Sequence, residues 1–358
     1  MSSARAGPVA LAIGLAALLG AGIWLLLGTP GSLVNEEPQG LGRTVASEDE
    51  IVVVELLEGE SAGAIGRKLE AAGVIQSTRL FRVLTSLMGL EDDLEAGDYE
   101  FRTGGTVLNA VRRISRGQIR TLGILIREGL RLEETAELLE REGVVSAGEF
   151  RQALQEEYSA SFLEVLPADG GLEGFLFPAT YSFPIQVSAH DVVQRLLGAF
   201  DQRYQEQIQP KLTPDGLSLR EVVTLASIIE REARVAEDRP LIASVFLNRL
   251  EQGIKLDADP TVQYAAANDP ASVEAFGYWK RGLTVADLQA PSPYNTYVNA
   301  GLPPGPIANP GLASILAVLE PADTSYLYFV AREDGSHIFA ETLGEHNRNV
   351  CQVNPECN

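Results

Sequence analysis

Leu225-Ala-Ser-Ile-Ile-Glu-Arg-Glu-Ala-Arg234 lies inside a longer run, Leu219 to Ala236, whose apolar residues recur at helical spacing. At about 100° per residue, Val222, Leu225, Ala226, Ile229, Ala233 and Ala236 share one face. Glu230 and Glu232 fall about 200° apart on the same wheel, so they border that face on opposite sides. The two carboxylates cannot point into one site. Glu232 lies between Leu225 and Ile228, whereas Glu230 lies nearer Ala226, Val223 and Arg234. The border at Glu232 is the more apolar and the less compensated by charge. A carboxyl there loses solvation, its pKa rises, and it stays protonated near neutral pH as a general acid. The bland alternative is two solvated glutamates on a helix border, which describes most such residues.

The chain has 358 residues, enough for two or three domains or for one large domain with an anchor. A net charge of −21 argues against nucleic acid and against a polybasic grip on anionic lipid. Cys351 and Cys357 both lie in the last eight residues. They form no zinc pattern, and outside the cytoplasm they could close a small loop.

Pro8 to Gly28 carries no charged residue and would span about 30 Å as a helix, the thickness of a bilayer core. Arg5 precedes it and Glu36 and Glu37 follow it, which places the body of the chain on the extracytoplasmic side. No small-residue cleavage site follows, so the stretch reads as a retained single-pass anchor rather than a signal peptide. The expected organisation is a cytoplasmic N-terminus (1–7), a transmembrane helix (8–28), a linker (29–50), a small α/β module (51–117), a larger α+β domain with a cleft (118–350) and a tail (351–358).

An internal echo runs at an offset of 70 residues. Glu58-Gly59 matches Glu128-Gly129, Leu69-Glu70 matches Leu139-Glu140, and Gly73-Val74 matches Gly143-Val144. Each copy reads as a strand, an Glu-Gly turn, a helix closed by glycine and a second helix. The strand–helix–helix–strand pattern of the first copy resembles a LysM-type carbohydrate-binding module. A structural spacer would show the same pattern.

Further along, Gly174-Phe-Leu-Phe-Pro-Ala-Thr-Tyr181 is rich in aromatics that suit either a sugar-binding face or ordinary core. Pro240 to Leu250 reads as an apolar helix, and Asp259-Pro260 as the start of another, with the aspartate as its cap. Ala290 to Gly311 is dense in proline and glycine around Ser292-Pro-Tyr-Asn-Thr-Tyr297, and reads as an ordered cleft wall. Tyr326–Val330 and Ser336–Phe339 read as a hairpin across Glu333-Asp-Gly335. His337, Glu341, Glu345 and His346 lack a metal-binding spacing and read as polar lining or caps of the cleft.

Five segments in series carry a resemblance. They are Glu173-Gly-Phe-Leu-Phe-Pro178; Ala226-Ser-Ile-Ile-Glu-Arg-Glu232; Val245-Phe-Leu-Asn-Arg-Leu250 with Asp259-Pro-Thr261; Tyr294-Asn-Thr-Tyr297 with Gly301-Leu-Pro-Pro-Gly305; and Tyr326-Leu-Tyr-Phe-Val330 with Glu345-His-Asn347. In these the chain resembles the endolytic murein transglycosylases of the YceG-like (MltG) family. The resemblance implies a single-pass protein of the inner (plasma) membrane. It implies a lyase that cuts nascent peptidoglycan strands between N-acetylmuramic acid and N-acetylglucosamine and leaves a 1,6-anhydro end. It implies peptidoglycan synthases as neighbours, and neither cofactor nor metal. The second glutamate of the family's motif maps to Glu232 as the catalytic acid. Tyr294, Asn295, Thr296, Tyr297, Phe177, Glu230 and Asp259 are the candidate substrate-binding residues. Ala179 and Asp257 depart from the family's usual Asp and Gln. These departures feed one rival reading, an anchored peptidoglycan-binding scaffold without catalysis.

Overall fold

The computed structural model describes residues 50–167 and 171–354, which belong to one compact unit, Asp49–Asn358. The expected anchor, most of the linker and Cys357 lie outside the described residues. No helix among the described residues is long and apolar enough to cross a membrane.

The described chain opens with β1 (Ile51–Leu56), α1 (Ala62–Ala71), α2 (Thr78–Leu87), β2 (Gly97–Arg102) and α3 (Val107–Ile114). Strands β1 and β2 pair antiparallel, with Val54 opposite Tyr99. Alternation along β1 turns Val54 and Leu56 inward onto a core of their own, which holds Leu69, Phe81, Tyr99 and Val111. Ser61, Ser77 and Thr106 cap the three helices with their hydroxyls.

The second copy of the echo follows at the same offset. It comprises β3 (Thr121–Leu125), α4 (Leu132–Arg141) and α5 (Ala147–Ala153), and β3 pairs antiparallel with β4 (Thr180–Pro184). The matched glycines share their backbone conformation. Gly59 and Gly129 both have φ +77°, and Gly73 and Gly143 have φ +70° and +73°. Only glycine adopts this left-handed region without strain, which is why the echo shows in sequence at these positions. The second copy differs in what it packs against. Ile124, Ile126, Leu139 and Phe150 join the large core of the following helices.

That core is built around α6 (Ala189–Arg203), α7 (Leu219–Glu232), α8 (Arg239–Glu251) and, later in the chain, α12 (Leu312–Leu319). Between them come α9 (Asp259–Ala266), α10 (Pro270–Phe276) and α11 (Val285–Leu288). A hairpin of β5 (Tyr328–Ala331) and β6 (His337–Ala340) and a terminal helix α13 (Leu343–Val353) complete the described chain. Helix α7 starts at a capping box between Ser218 and Glu221. It ends at Glu232, earlier than the expected Ala236, because Ala233 leaves in an extended conformation (φ −70°, ψ 123°). Ala236 instead opens a short 3₁₀ turn, Ala236–Asp238.

The aromatic loop at 174–181 is core. Phe175, Leu176, Phe177 and Tyr181 are buried, and the ring of Phe175 stacks on Phe162. The Pro/Gly-rich segment packs directly onto this loop. Asn309 lies between them, accepting from Gly174 N–H and Leu176 N–H at 3.0 Å each and donating to the Leu130 carbonyl. Gly174 itself has φ +91°, and a Cβ there would lie 2.5 Å from Pro306 and 2.8 Å from Val223. Gly174→Ala is therefore expected to lose on the order of 2–4 kcal/mol of stability, read by chemical denaturation. A variant as stable as the parent would contradict this packing.

Candidate active site

The last turn of α7 sends its two carboxylates to different places. Glu230 points at the N-terminus of α12. Its carboxylate accepts from Gly311 N–H at 3.1 Å and from Ser314 Oγ at 2.7 Å, and it pairs with Arg239 at 3.5 Å. Gly311 is the N-cap of α12 and has no side chain to cap it, so Glu230 supplies the cap from a neighbouring helix. Arg239 closes the triangle through Ser314 Oγ. Glu230 is thus a brace, and its expected place among the substrate contacts is corrected on that ground.

Glu232 opens into a cleft of about 370 Å³. Asp257, Asp259, Tyr297, Arg249, Tyr328 and His346 share its walls. Burial pushes the Glu232 carboxyl up to about 8, and the charge of Asp259 adds to the shift. Its position at the C-terminal end of α7 acts in the same direction, because the helix dipole disfavours a negative charge there. A carboxyl in this setting holds its proton at neutral pH.

Asp259 is the first residue of α9 rather than its cap, and Ala258 takes the N-cap position. Freed from capping, the Asp259 side chain accepts from Tyr297 Oη at 2.7 Å. Burial, and then this bond to Asp259, raise the Tyr297 phenol above its ordinary pKa, so it stays a donor. Asp257 is the only non-glycine residue among those described with positive φ, at +48°. Arg249 holds that turn, donating to the carbonyls of Lys255 and Leu256 at 3.0 Å each and to the Asp257 carboxylate at 3.3 Å. Its Nε also donates to the Leu327 carbonyl at 2.6 Å, which ties the turn to the β5 side of the cleft. His346 stacks on Tyr328 with ring centroids 5.3 Å apart. Burial first, and the charge of Arg249 second, lower the His346 pKa, so its ring is neutral.

Three of the expected site residues therefore meet in the cleft: Glu232, Asp259 and Tyr297. The others stand behind or beside it. Asn295 is buried and spends its amide on the carbonyls of Leu288 and Ala290, while its oxygen accepts from Tyr297 N–H. Thr296 is buried and accepts from Ala258 N–H at 3.0 Å, with Thr261 Oγ1 2.9 Å away. Both fold the loop so that Tyr297 faces Asp259, and the expected sugar contacts become supporting roles. Tyr294 packs on Tyr264 at 4.7 Å and is not among the residues lining the cleft. Phe177 lies in the core, with the Arg203 guanidinium 4.7 Å from its ring centre, so it offers no face to a sugar. Ala179 starts toward β4, its carbonyl accepting from Ile126 N–H, and does not line the cleft, whereas Asp257 does.

The sequence reading missed Arg249 and Tyr328. The Val245–Leu250 motif contained Arg249, and an arginine ending an apolar helix was the available signal. Of the four polar residues expected near the cleft, His346 lines it. His337 is buried against Asp238 at 2.8 Å, and Glu345 caps α13. Burial also pushes Glu173 up to about 8, with Glu133 adding to it. Glu173 accepts from Leu132 N–H and Asn309 Nδ2 and does not line the Glu232 cleft, so it holds these buried segments together.

The sequence model of the YceG-like family matches residues 54–352. A Bacillus subtilis (strain 168) protein named endolytic murein transglycosylase is 33% identical over 311 residues, which cover 83% of this chain and 83% of that protein. A Streptococcus pneumoniae (strain D39) protein of the same name is 30% identical over 347 residues, which cover 87% of this chain and 60% of that protein. A crystal structure titled as a yceG-like protein, from Listeria monocytogenes, matches with a TM-score of 0.55 at 32% identity. The match covers 84% of this chain and 99% of that one.

The two glutamates should separate in stability measurements. Glu230→Ala strands Arg239 and the Gly311 N–H and is expected to cost about 3 kcal/mol in denaturant unfolding. Glu232 binds its proton more tightly folded than unfolded, so its contribution falls as pH rises from about 4.5 to about 8. Glu232→Gln removes that penalty. Its thermal midpoint relative to the parent should rise between pH 5 and pH 8, and a constant difference would contradict the assigned burial.

Proposed function

This chain belongs to the YceG-like family, and from that membership we propose that it is an endolytic murein transglycosylase, a lyase acting on peptidoglycan. The observation that carries the reading is the Glu232 carboxyl at the end of α7, lining a cleft with Asp259, Tyr297 and Tyr328, where burial favours its protonated form. Its substrate is the glycan strand of peptidoglycan, cut between N-acetylmuramic acid and N-acetylglucosamine. In the proposed reaction Glu232 gives its proton to the bridging oxygen as the C1–O bond breaks. The 6-hydroxyl of the same muramic acid then attacks C1 and closes the 1,6-anhydro ring. The carboxylate of Glu232 takes up the hydroxyl proton, so the acid is restored and no water is consumed. Attack from within one sugar has high effective molarity once the ring is held.

Asp259 acts on this cycle through charge. Bonded to Tyr297, it raises the Glu232 pKa and favours the positively charged sugar centre that develops at C1. Tyr297, Tyr328 and neutral His346 supply flat surfaces and polar edges for sugar rings. Arg249 fixes the wall that presents them.

The anchor expected at 8–28 would set the catalytic unit outside the inner membrane, beside the synthases that extrude new strands. The independent core of residues 54–114 suits a LysM-like module that would grip the same polymer.

A second reading draws on Asp259 and Asp257, which place further carboxylates beside Glu232. Paired carboxylates are the equipment of a hydrolase, which would activate water and leave a reducing end. The names of the relatives favour the lytic reaction over this and over a scaffold without catalysis.

Incubation of the purified protein with uncrosslinked glycan strands, followed by mass spectrometry, decides among the three. Anhydro-muramic ends are expected, with Glu232→Gln reducing the rate by at least about a thousandfold and Glu230→Gln by much less. Reducing ends would support the hydrolase, and no cleavage by the parent protein would support the scaffold. The rate should fall as pH rises through about 8, where Glu232 loses its proton.

A further inference from the structure

A second pocket, of about 670 Å³, adjoins the far side of the same helix end. Its walls carry Arg231, Arg234 and Arg281 over an aromatic surface of Phe276, Tyr278 and Trp279, and none of its lining residues is acidic. In a chain with 49 Asp and Glu against 28 Lys and Arg, such a convergence stands out. None of the three arginines takes part in an ion pair among the described residues. The charges of Glu134 and Glu230 reach Arg231 from outside the pocket's lining, and a bound anion would lower the mutual repulsion of the three arginines further.

The pocket is built rather than incidental. The Arg231 guanidinium lies 3.8 Å from the Trp279 ring centre, and its Nη1 donates to the Gly129 carbonyl at 3.3 Å. Its Nε is buried with no partner. Trp279 is fixed from behind by an Nε1 bond to Glu134 at 2.9 Å, and Tyr278 by its hydroxyl on Glu137. Those two acids orient the aromatic floor from outside the pocket's lining.

The pocket and the cleft lie side by side. Consecutive residues of α7 serve them, Arg231 in one and Glu232 in the other. On α9, Asp259 faces the cleft and Gln263 the pocket. Those two are one helical turn apart, about 6 Å along the axis. The cleft carries Asp257 and Asp259 beside protonated Glu232, and its one arginine, Arg249, is paired with Asp257, so it offers an anion less than the pocket does. The pocket would draw it.

On the transglycosylase reading, the sugars of the strand are uncharged apart from what hangs from muramic acid, namely a peptide stem with free carboxylates. Every internal cut brings such a stem to the cleft, whereas a lipid-linked diphosphate is present only at a strand's terminus. The planar fork of arginine matches a carboxylate in two bonds, and the aromatic floor suits a peptide chain. We propose that the Arg231–Arg234–Arg281 pocket seats a carboxylate of the peptide stem next to the bond being cut. The pocket would thereby select stem-bearing strands and set their register over Glu232.

Trp24 and Trp279 are the two tryptophans of the chain. In a Trp24→Phe background Trp279 becomes the reporter of its own pocket. Titration with a free stem tripeptide (alanyl-isoglutamyl-diamino acid) should change its fluorescence to saturation. The same peptide with its carboxyls amidated should not. Arg234→Ala combined with Arg281→Ala, both exposed, should weaken the free-acid peptide by about tenfold or more. On stem-bearing strands that double variant should raise KM with little change in kcat, while strands stripped of stems by an amidase are cut as by the parent. Equal binding of the amidated peptide, unchanged affinity in the double variant, or a response to inorganic pyrophosphate but not to the peptide would each overturn the proposal. A parent protein that binds the peptide yet cuts neither strand would instead overturn the transglycosylase reading.

Discussion

A largely desolvated carboxyl group at the last residue of a helix, at the edge of a cleft, is the constraint from which the rest of the structure follows. Glu232 ends α7, where the dipole, the surrounding burial and Asp259 all oppose its ionisation. Such a group is tolerated only if the helix end cannot drift. Glu230, two residues earlier, supplies the fixity by capping α12 and pairing with Arg239. One turn of helix thus contains both the strained group and its brace.

The brace in turn depends on the Pro/Gly-rich segment before α12. Ile307 N–H donates to Ser227 Oγ at 3.0 Å on α7, and Asn309 satisfies two buried amides of the 174–181 loop. Residues 294–297 belong to the same long connection and use buried Asn295 and Thr296 to set Tyr297 against Asp259. A connection of this length stays ordered because its polar groups are paired inside the protein. The cleft wall and the helix anchor are therefore two ends of one segment, and motion at one would be felt at the other.

Much of this was legible before the fold was known, and the reasons are local. Helical spacing separated Glu230 from Glu232, and the structure sends them to different partners. Positive-φ glycines made the 70-residue echo visible, and β1–α2 and β3–α5 repeat in the same order. What the sequence concealed lay where no periodicity constrains orientation. Phe177 and Asn295 had residue types suited to a sugar site, but their side chains turn inward. Arg249 and Tyr328 come from elements nearly eighty residues apart in the chain, and only tertiary packing brings them onto one cleft. A raised pKa was also an incomplete guide, because Glu173 shares it while serving the core.

The most direct test is the titration of the Glu232 carboxyl itself. Carbon-13 labelling of glutamate side chains, with Glu232→Gln to assign the resonance, would follow its ionisation by NMR. A midpoint near 8, well above the ordinary 4.5, is the expected result. A midpoint in the ordinary carboxylate range would mean that the group is solvated and ionised at neutral pH, and the proposed proton donor would be lost.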